Sequence, residues 1–434
     1  MTPAARHQAA IEVLETWAAG AEGLDRLLTA WGRRHRFAGS GDRHAIADIA
    51  YGAIRRARML QWLGGGGDAG GALETFRPRI AVLADAVLGG FAPEAIAGAG
   101  RHAPPPLEAA EAAALARLSE LAGWPGDEGE GRGTAKAGDA VGALLADAPP
   151  GVRFNLPDWL IEAHPGLPAA ALAALGTRAP VDLRANTLMT TRAAAAAGLA
   201  AEGIETVPGP LAADCLRVTA GARRIAGSAA YRDGLVEVQD AASQAVAVRA
   251  GARPGQVVLD YCAGGGGKTL ALAAAMGGPA PAEGRLLAHD AAPRRMADLA
   301  ARAARAGARI ETVATAALDR LEDACDLVLT DVPCSGSGAW RRNPDARWRF
   351  GPADLERLNG EQEAILDNAA RLVRPGGQLV YVTCSILESE NAARIDAFLA
   401  RHPSYREVPR SRWQTFPDPA LGDGFFVSSL LRET

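Results

Sequence analysis

The feature that most constrains the fold is an alternation that sets in near residue 256. Five short apolar runs, QVVLDYC, RLLAHD, RIETVAT, DLVLTDVPC and QLVYVTC, have the length of buried strands and are separated by helical stretches such as 294–306. Runs apolar on both faces need cover from both sides, and strands alternating with helices provide it as a doubly wound parallel sheet. GFFVSSLLR reads as the last strand of a closing antiparallel hairpin. Residues 237–434 are therefore expected to form a Rossmann-like α/β domain.

A chain of 434 residues exceeds a single core, so further domains are expected upstream. Leu24, Leu27, Leu28 and Trp31 share one helical face, and Ile46, Ile49, Ala50 and Ala53 repeat the spacing, with Ser40 and Asp42 as candidate caps. Residues 1–148 read as an all-α domain with a mobile loop at 126–139, and 149–236 as a small α/β module built on VDLRANTLM, CLRVTA and one alanine-rich helix. No apolar run is long enough to cross a bilayer, and the opening MTPAARHQAAIEVLE lacks a secretory signal. A cytoplasmic protein without membrane contact is expected. The five cysteines include no CxxC pair or zinc spacing, so neither a disulfide framework nor a metal is expected. A net charge of −4 argues against indiscriminate binding to nucleic acid. Local patches must serve instead: Arg33, Arg34, Arg36, Arg43, Arg55, Arg56 and Arg58 form one, and Arg341, Arg342, Arg347 and Arg349 another.

Ligands of a doubly wound sheet gather at the carboxyl ends of its strands. Here those ends are polar and reactive. The first runs into Asp260-Tyr-Cys-Ala followed by four glycines, Lys268 and Thr269, so the backbone can approach a ligand closely. The second ends at Asp290, placed to grip both hydroxyls of a ribose, and the two together suit an adenosine-bearing cofactor. A phosphate-binding loop is the rival reading, but its pattern would require glycine where Cys262 stands. The fourth strand runs into Asp331-Val-Pro-Cys334 and the fifth ends in Thr383-Cys384, which should bring two thiols into one crevice. Cys215 and Cys325 lie away from strand ends and read as small buried hydrophobes. Lysine occurs only at 136 and 268, so its retention at 268 suggests that a compact ammonium is required, to favour a thiolate and hold Asp331.

Such a set fits alkylation of a pyrimidine. Carbon 5 of cytosine is a poor nucleophile until a thiolate adds to carbon 6 and makes the ring enamine-like. The step needs an acid at the N3/N4 edge, which Asp331 can supply, and a second cysteine suits the later release of product.

These residues resemble the Nop/Sun family of RNA 5-methylcytosine methyltransferases, especially its bacterial RsmB-type ribosomal RNA branch. DYCAGGGGKT resembles the family's cofactor loop, DVPCSGSG with RRNPDARW its proline-cysteine motif, and VTCS its threonine-cysteine motif. VDLRANTL, GLVEVQDAASQ and GDGFFVSSLLR resemble further family segments, and residues 6–63 resemble the NusB-like RNA-binding domain of that branch. The resemblance implies a class I fold dependent on S-adenosylmethionine, with Cys384 as nucleophile, Cys334 releasing product, Asp331 contacting the base and Lys268 in support. It further implies cofactor contacts from Cys262, Ala263, Gly264, Gly265, Gly266, Gly267, Lys268 and Asp290, beside which Arg295 and Asp331 are further candidates, and RNA contacts from Arg184 and Asn186; from the basic patches, Arg341, Arg342, Arg55 and Arg56 are the further RNA candidates. Two positions depart from the pattern: Gly265 stands where the family has proline, and Thr315 where an Asp commonly meets adenine. The expected protein is a monomeric enzyme acting on 16S rRNA or an assembling small subunit. Transfer RNA is the alternative substrate, and a nucleotide-hydrolysing or non-catalytic RNA factor the alternative class.

Overall fold

A computed structural model describes residues 1–20, 22–68, 70, 75–121, 141–142, 144–277 and 284–434. The loop expected at 126–139 lies outside the described residues. The chain divides into two compact units: residues 1–177 with 340–350, and 178–339 with 351–434.

The first unit is helical, with principal helices Pro3–Ala19, Leu24–Arg34, Ser40–Arg55, Ala57–Leu63, Pro78–Leu88 and Ala109–Leu121. Leu24, Leu27 and Trp31 are buried together with Ile46, Ala50 and Ala53, so the two expected apolar faces meet in one core. Ser40 and Asp42 do not act as expected: the helix begins at Ser40 with Gly39 in the cap position and no side-chain cap. Asp42 instead accepts from Arg6 Nε at 2.9 Å.

The second unit carries two sheets. Strands β1 (Asp182–Ala185), β2 (Glu205–Pro208), β3 (Cys215–Ala220) and β4 (Val236–Val238) form an antiparallel sheet in the order β2-β3-β1-β4. The helix Arg192–Ala201 covers it, burying Leu199 against Leu183, Leu216 and Val236. The larger sheet comprises β5 (Val257–Asp260), β6 (Arg285–Ala288), β7 (Glu311–Thr312), β8 (Cys325–Asp331), β9 (Val373–Thr383), β10 (Tyr405–Glu407), β11 (Trp413–Thr415) and β12 (Phe425–Arg432). Its order is β10-β12-β9-β8-β5-β6-β7, with β11 paired to β12. Strands β5 to β9 pair in parallel, and β12 runs antiparallel to β9, which is the closing strand expected from the sequence. This is the Rossmann-like arrangement, with apolar cores on both faces of the sheet. Among the described residues no helix is long and apolar enough to cross a membrane.

Candidate active site

The carboxyl ends of β5, β8 and β9 sit side by side in the middle of the sheet. After β5 the chain turns through 261–266 into the helix Gly267–Ala275, with Ala263 N bonded to His289 O and Gly266 N to Ala263 O, both at 2.8 Å. Gly264 and Gly266 have φ of +51° and +84°, and a side chain at 266 would run into Leu299, so glycine is required there on both counts. Gly265 lacks the stiffness of a proline, but its carbonyl accepts from the Arg302 guanidinium, which also reaches Glu237 at 3.0 Å. Asp290 is buried; it accepts from Gly264 N at 3.0 Å and Ala292 N at 2.9 Å, with the exposed Arg295 3.4 Å away.

Asp260 is wholly buried at the end of β5. Its Oδ2 accepts from Thr269 Oγ1 at 2.6 Å, while Oδ1 has no partner among the described residues. Burial pushes this carboxyl up to about 7, with Asp331 and Asp290 adding to the rise against the pull of Thr269 and Lys268. Burial likewise drives the Cys262 thiol well above its ordinary range. A glycine-lined turn beside an orphaned carboxyl oxygen is a polar cradle that fits an adenosine-bearing cofactor.

Lys268, in the first turn of the following helix, is buried and donates to Asp331 Oδ2 at 2.7 Å, with its ammonium 5.0 Å from the centre of the Phe425 ring. Burial disfavours its charge, but Asp331, with Cys384 and Asp260 adding to it, outweighs burial and raises its basicity. The parallel register pairs Asp331 with Val382, so the residues that follow the two strands emerge together. Cys334 Sγ and Cys384 Sγ consequently lie 3.4 Å apart, each partly exposed. Gly338 N donates to Cys384 O and Gly424 N to Gly338 O, both at 2.9 Å, which binds the two thiol-bearing loops together. The Cys334 thiol is raised well above its usual range by its hydrogen bond to Cys384, then by burial and by the negative charge of Glu390. Cys215 and Cys325 are buried and pushed up to about 12 by burial, as suits inert thiols.

Several residues expected at RNA are turned inward. Arg184 is buried, donates to Gln239 Oε1 at 2.8 Å and is lowered to about 10, mainly by burial. Asn186, also buried, donates to Gly234 O and Ala306 O at 2.8 and 2.9 Å. Asn186 thus ties the small sheet to the end of the helix Leu299–Arg305, and Arg184 holds Gln239, whose Nε2 reaches Gly267 O at 3.3 Å. In the first unit Arg341 is fully buried, Arg55 Nε donates to Arg341 O at 3.3 Å and Arg56 pairs with Asp85. Arg347 is fully buried and Arg349 reaches backbone carbonyls of Trp17, Gly20 and Glu22, so this second basic cluster is not a solvent-facing patch; Arg342 alone of its four arginines is exposed. Arg33, Arg34, Arg36 and Arg43 of the first cluster are exposed. Thr315 is exposed and bonds His289 Nε2 at 3.1 Å.

The reading of the sequence missed Arg302, Gln239 and, above all, Glu390, a buried carboxylate behind both thiols. A signal for it was present: each cysteine of the pair is followed directly by a serine, and Glu390-Asn391 follows soon after the second.

Comparison with known proteins gives a consistent result. The family described as 16S rRNA methyltransferase RsmB/F matches residues 249–431, and an RsmF/B-like, ferredoxin-like methyltransferase domain matches 156–223. The ribosomal RNA small subunit methyltransferase B of Sodalis glossinidius (strain morsitans) is 35% identical over 310 residues, spanning 67% of this chain and 69% of that protein. A probable counterpart from Synechocystis sp. is 33% identical over 304 residues, spanning 64% and 67% respectively. The crystal structure of PH0851 covers 100% of this chain and 99% of its own with a TM-score of 0.70 at 22% identity, a likeness of fold.

Proposed function

Because the chain belongs to the RsmB/F family of 16S rRNA methyltransferases, we propose that it methylates carbon 5 of a cytosine in small-subunit ribosomal RNA through a covalent adduct on Cys384. The observation that carries this reading is the 3.4 Å approach of Cys334 and Cys384 beside the Lys268–Asp331 pair. When bound, S-adenosylmethionine would supply an electrophilic methyl group and leave as the neutral thioether, its sulfur keeping the pair of the broken bond, and Gly264, Gly265, Gly266, Asp260 and Asp290 are the residues that would hold it.

The Cys384 thiolate adds to carbon 6, and the electron pair of the carbon 5–carbon 6 double bond becomes available at carbon 5 while Asp331 hydrogen-bonds the N3/N4 edge. Carbon 5 takes the methyl group. Its proton then departs to solvent water, the carbon 6–sulfur bond breaks, and the pair in that bond returns to Cys384. Cys334, still carrying its proton, donates a hydrogen bond to the departing sulfur. Lys268 holds Asp331 in place throughout. Exposed Arg33, Arg34, Arg36, Arg43 and Arg342 supply phosphate contacts, in place of the inward-turned arginines. We further propose that the reaction takes place in the cytoplasm and that the chain acts as a monomer.

Radiolabelled S-adenosylmethionine with unmodified small-subunit ribosomal RNA tests the reading. Cys384→Ala should abolish transfer, and Cys334→Ala should accumulate a protein–RNA adduct that survives denaturing gels. An adduct in Cys384→Ala and none in Cys334→Ala would reverse the two roles, and label appearing in transfer RNA instead would move the substrate.

A further inference from the structure

In the helical first unit, the helix Leu24–Arg34 ends in an aromatic ladder set among cations. Its last turn and the turn beyond read Trp31-Gly-Arg-Arg-His-Arg-Phe37, so aromatic and basic side chains are interleaved. Trp31 is buried and stacks on His35, with ring centres 4.2 Å apart and planes 20° from parallel, and His35 meets Phe37 at right angles, 5.7 Å between centres. Local bonds fix the ladder: His35 Nδ1 donates to Trp31 O at 2.9 Å, Ala38 N to His35 O at 3.0 Å and Arg43 Nε to Ala38 O at 3.0 Å. Its outer rung, Phe37, is left 72% exposed. The ladder lines a cavity of about 900 Å³ together with Gln8, Glu12, Arg101 and His102. That volume suits a small-ligand site, for which about 300–1,000 Å³ is usual. Two polar groups on its lining residues have no partner among the described residues: the indole N–H of Trp31, and Oε1 of Gln8, whose Nε2 donates to Glu12 Oε1 at 3.1 Å. A single exposed phenylalanine would need no explanation. This one stands on a fixed aromatic stack at a cavity wall, with exposed Arg36 beside it in the chain and exposed Arg101 on the same cavity.

We infer that this surface is a base-stacking subsite for unpaired RNA, in which Phe37 carries a nucleobase and the neighbouring arginines hold the phosphates that flank it. The inference deepens the proposed function and rests on its reading of RNA as the substrate. Every base has a flat π-face, and a ring already held in place loses little freedom when a base is laid on it. In a duplex both faces of a base are covered by its neighbours, so a stacking platform selects single strands. Charge points the same way: Glu12 is the one acidic side chain lining the cavity among the described residues, against Arg101 on the cavity and exposed Arg33, Arg34 and Arg36 along the ladder. An apolar protein segment would cover Phe37 as well, but it would leave the arginines, the indole N–H and the amide oxygen without counterparts. A nucleotide brings phosphate for the first and a base edge with both donors and acceptors for the others.

The test is binding of the full chain to a fluorescein-labelled single strand of about 12 adenylates, and to the duplex it forms with oligouridylate, read by fluorescence anisotropy over a range of salt. Phe37→Ala should weaken single-strand binding about tenfold, the size of one lost base–aromatic stack, and leave duplex binding within about twofold of the wild type. Phe37→Trp, which keeps a stacking face, should bind the single strand at least as well as the wild type. Arg36→Ala should lower the slope of log affinity against log salt by about 0.7, one phosphate contact on a single strand, while Phe37→Ala leaves that slope unchanged, so stacking and charge are read separately. Since Phe37 is exposed, its variants should melt with the wild type. A Phe37→Ala protein that holds the single strand as tightly as the wild type would overturn the inference and return the surface to a protein partner. So would an equal loss on single strand and duplex, or a Phe37→Trp protein as weak as Phe37→Ala. The methylation reading fails on a separate result, methyl transfer by Cys384→Ala with Phe37 intact.

Discussion

At the scale of single residues the site is governed by which charges are buried and with what. Lys268 and Asp331 compensate each other at 2.7 Å, whereas among the described residues the side chain of Asp260, 0% exposed, has a neutral hydroxyl as its one hydrogen-bond partner and one oxygen with none. Its carboxyl, raised from 3.8 to about 7, prefers to keep its proton in the folded state. A carboxyl raised on folding contributes stability that is complete below its unfolded value and is lost as pH climbs through the folded one. Wild-type protein should thus lose thermal stability from this group between about pH 4 and 7. Asp260→Asn, which cannot ionise, should flatten that part of the profile and melt higher than wild type at pH 8. Melting curves at pH 4.5, 6 and 8 decide it, and parallel slopes in the two proteins would remove Asp260 as the source.

At the scale of elements the cofactor loop depends on a neighbouring helix for its rigidity. Gly265 is the least restrained residue type at that point, and Arg302 from the helix Leu299–Arg305 ties its carbonyl back while pairing with Glu237 of β4. Arg302→Ala should weaken S-adenosylmethionine binding about tenfold, the size of one charge-assisted hydrogen bond, measured calorimetrically on the full chain. Unchanged affinity would mean that the loop holds its shape unaided. This anchor was invisible in the sequence, where Arg302 sits among alanines like any solvated helix residue. The strands β5, β6, β8 and β9 were legible because burial on both faces leaves an unbroken apolar run, and the thiols because they end two of those runs. β7 shrank from the expected RIETVAT to Glu311–Thr312, a polar edge that pairs on one side only. β2, β10 and β11 escaped for the same reason, since peripheral strands carry no pattern that separates them from loops. Glu390 escaped because it lies outside any strand, within a short turn, and its importance comes from serines 55 and 5 residues away.

At the scale of the whole molecule, chain order and spatial membership part company. Trp340–Phe350 follows the Cys334 loop directly and its clustered arginines read as a basic patch for RNA, yet this stretch belongs to the helical first unit. Within that unit Arg347 serves as an internal clamp. Its guanidinium is fully buried, with Nη1 donating to Asn155 O at 3.2 Å and Nη2 to Leu175 O at 2.9 Å, while Nε has no partner among the described residues. Burial, with Arg55 nearby, lowers it to about 9. Arg347→Met keeps the stem's volume but strands two buried carbonyls, at a cost of about 1–3 kcal/mol each. Relief from burying an uncompensated charge offsets part of that, leaving a net loss of about 2 kcal/mol. For a unit of this size the loss corresponds to a fall of roughly 4–8 °C in melting temperature. Tryptophan emission can isolate the effect, because every tryptophan except Trp413 falls within the first unit's share of the sequence. The tryptophan-detected transition of Arg347→Met should therefore move down while cofactor affinity, a property of the second unit, stays put. A variant melting at the wild-type temperature would show that the clamp contributes nothing, and that the unpartnered Nε is as costly as the two bonds are favourable.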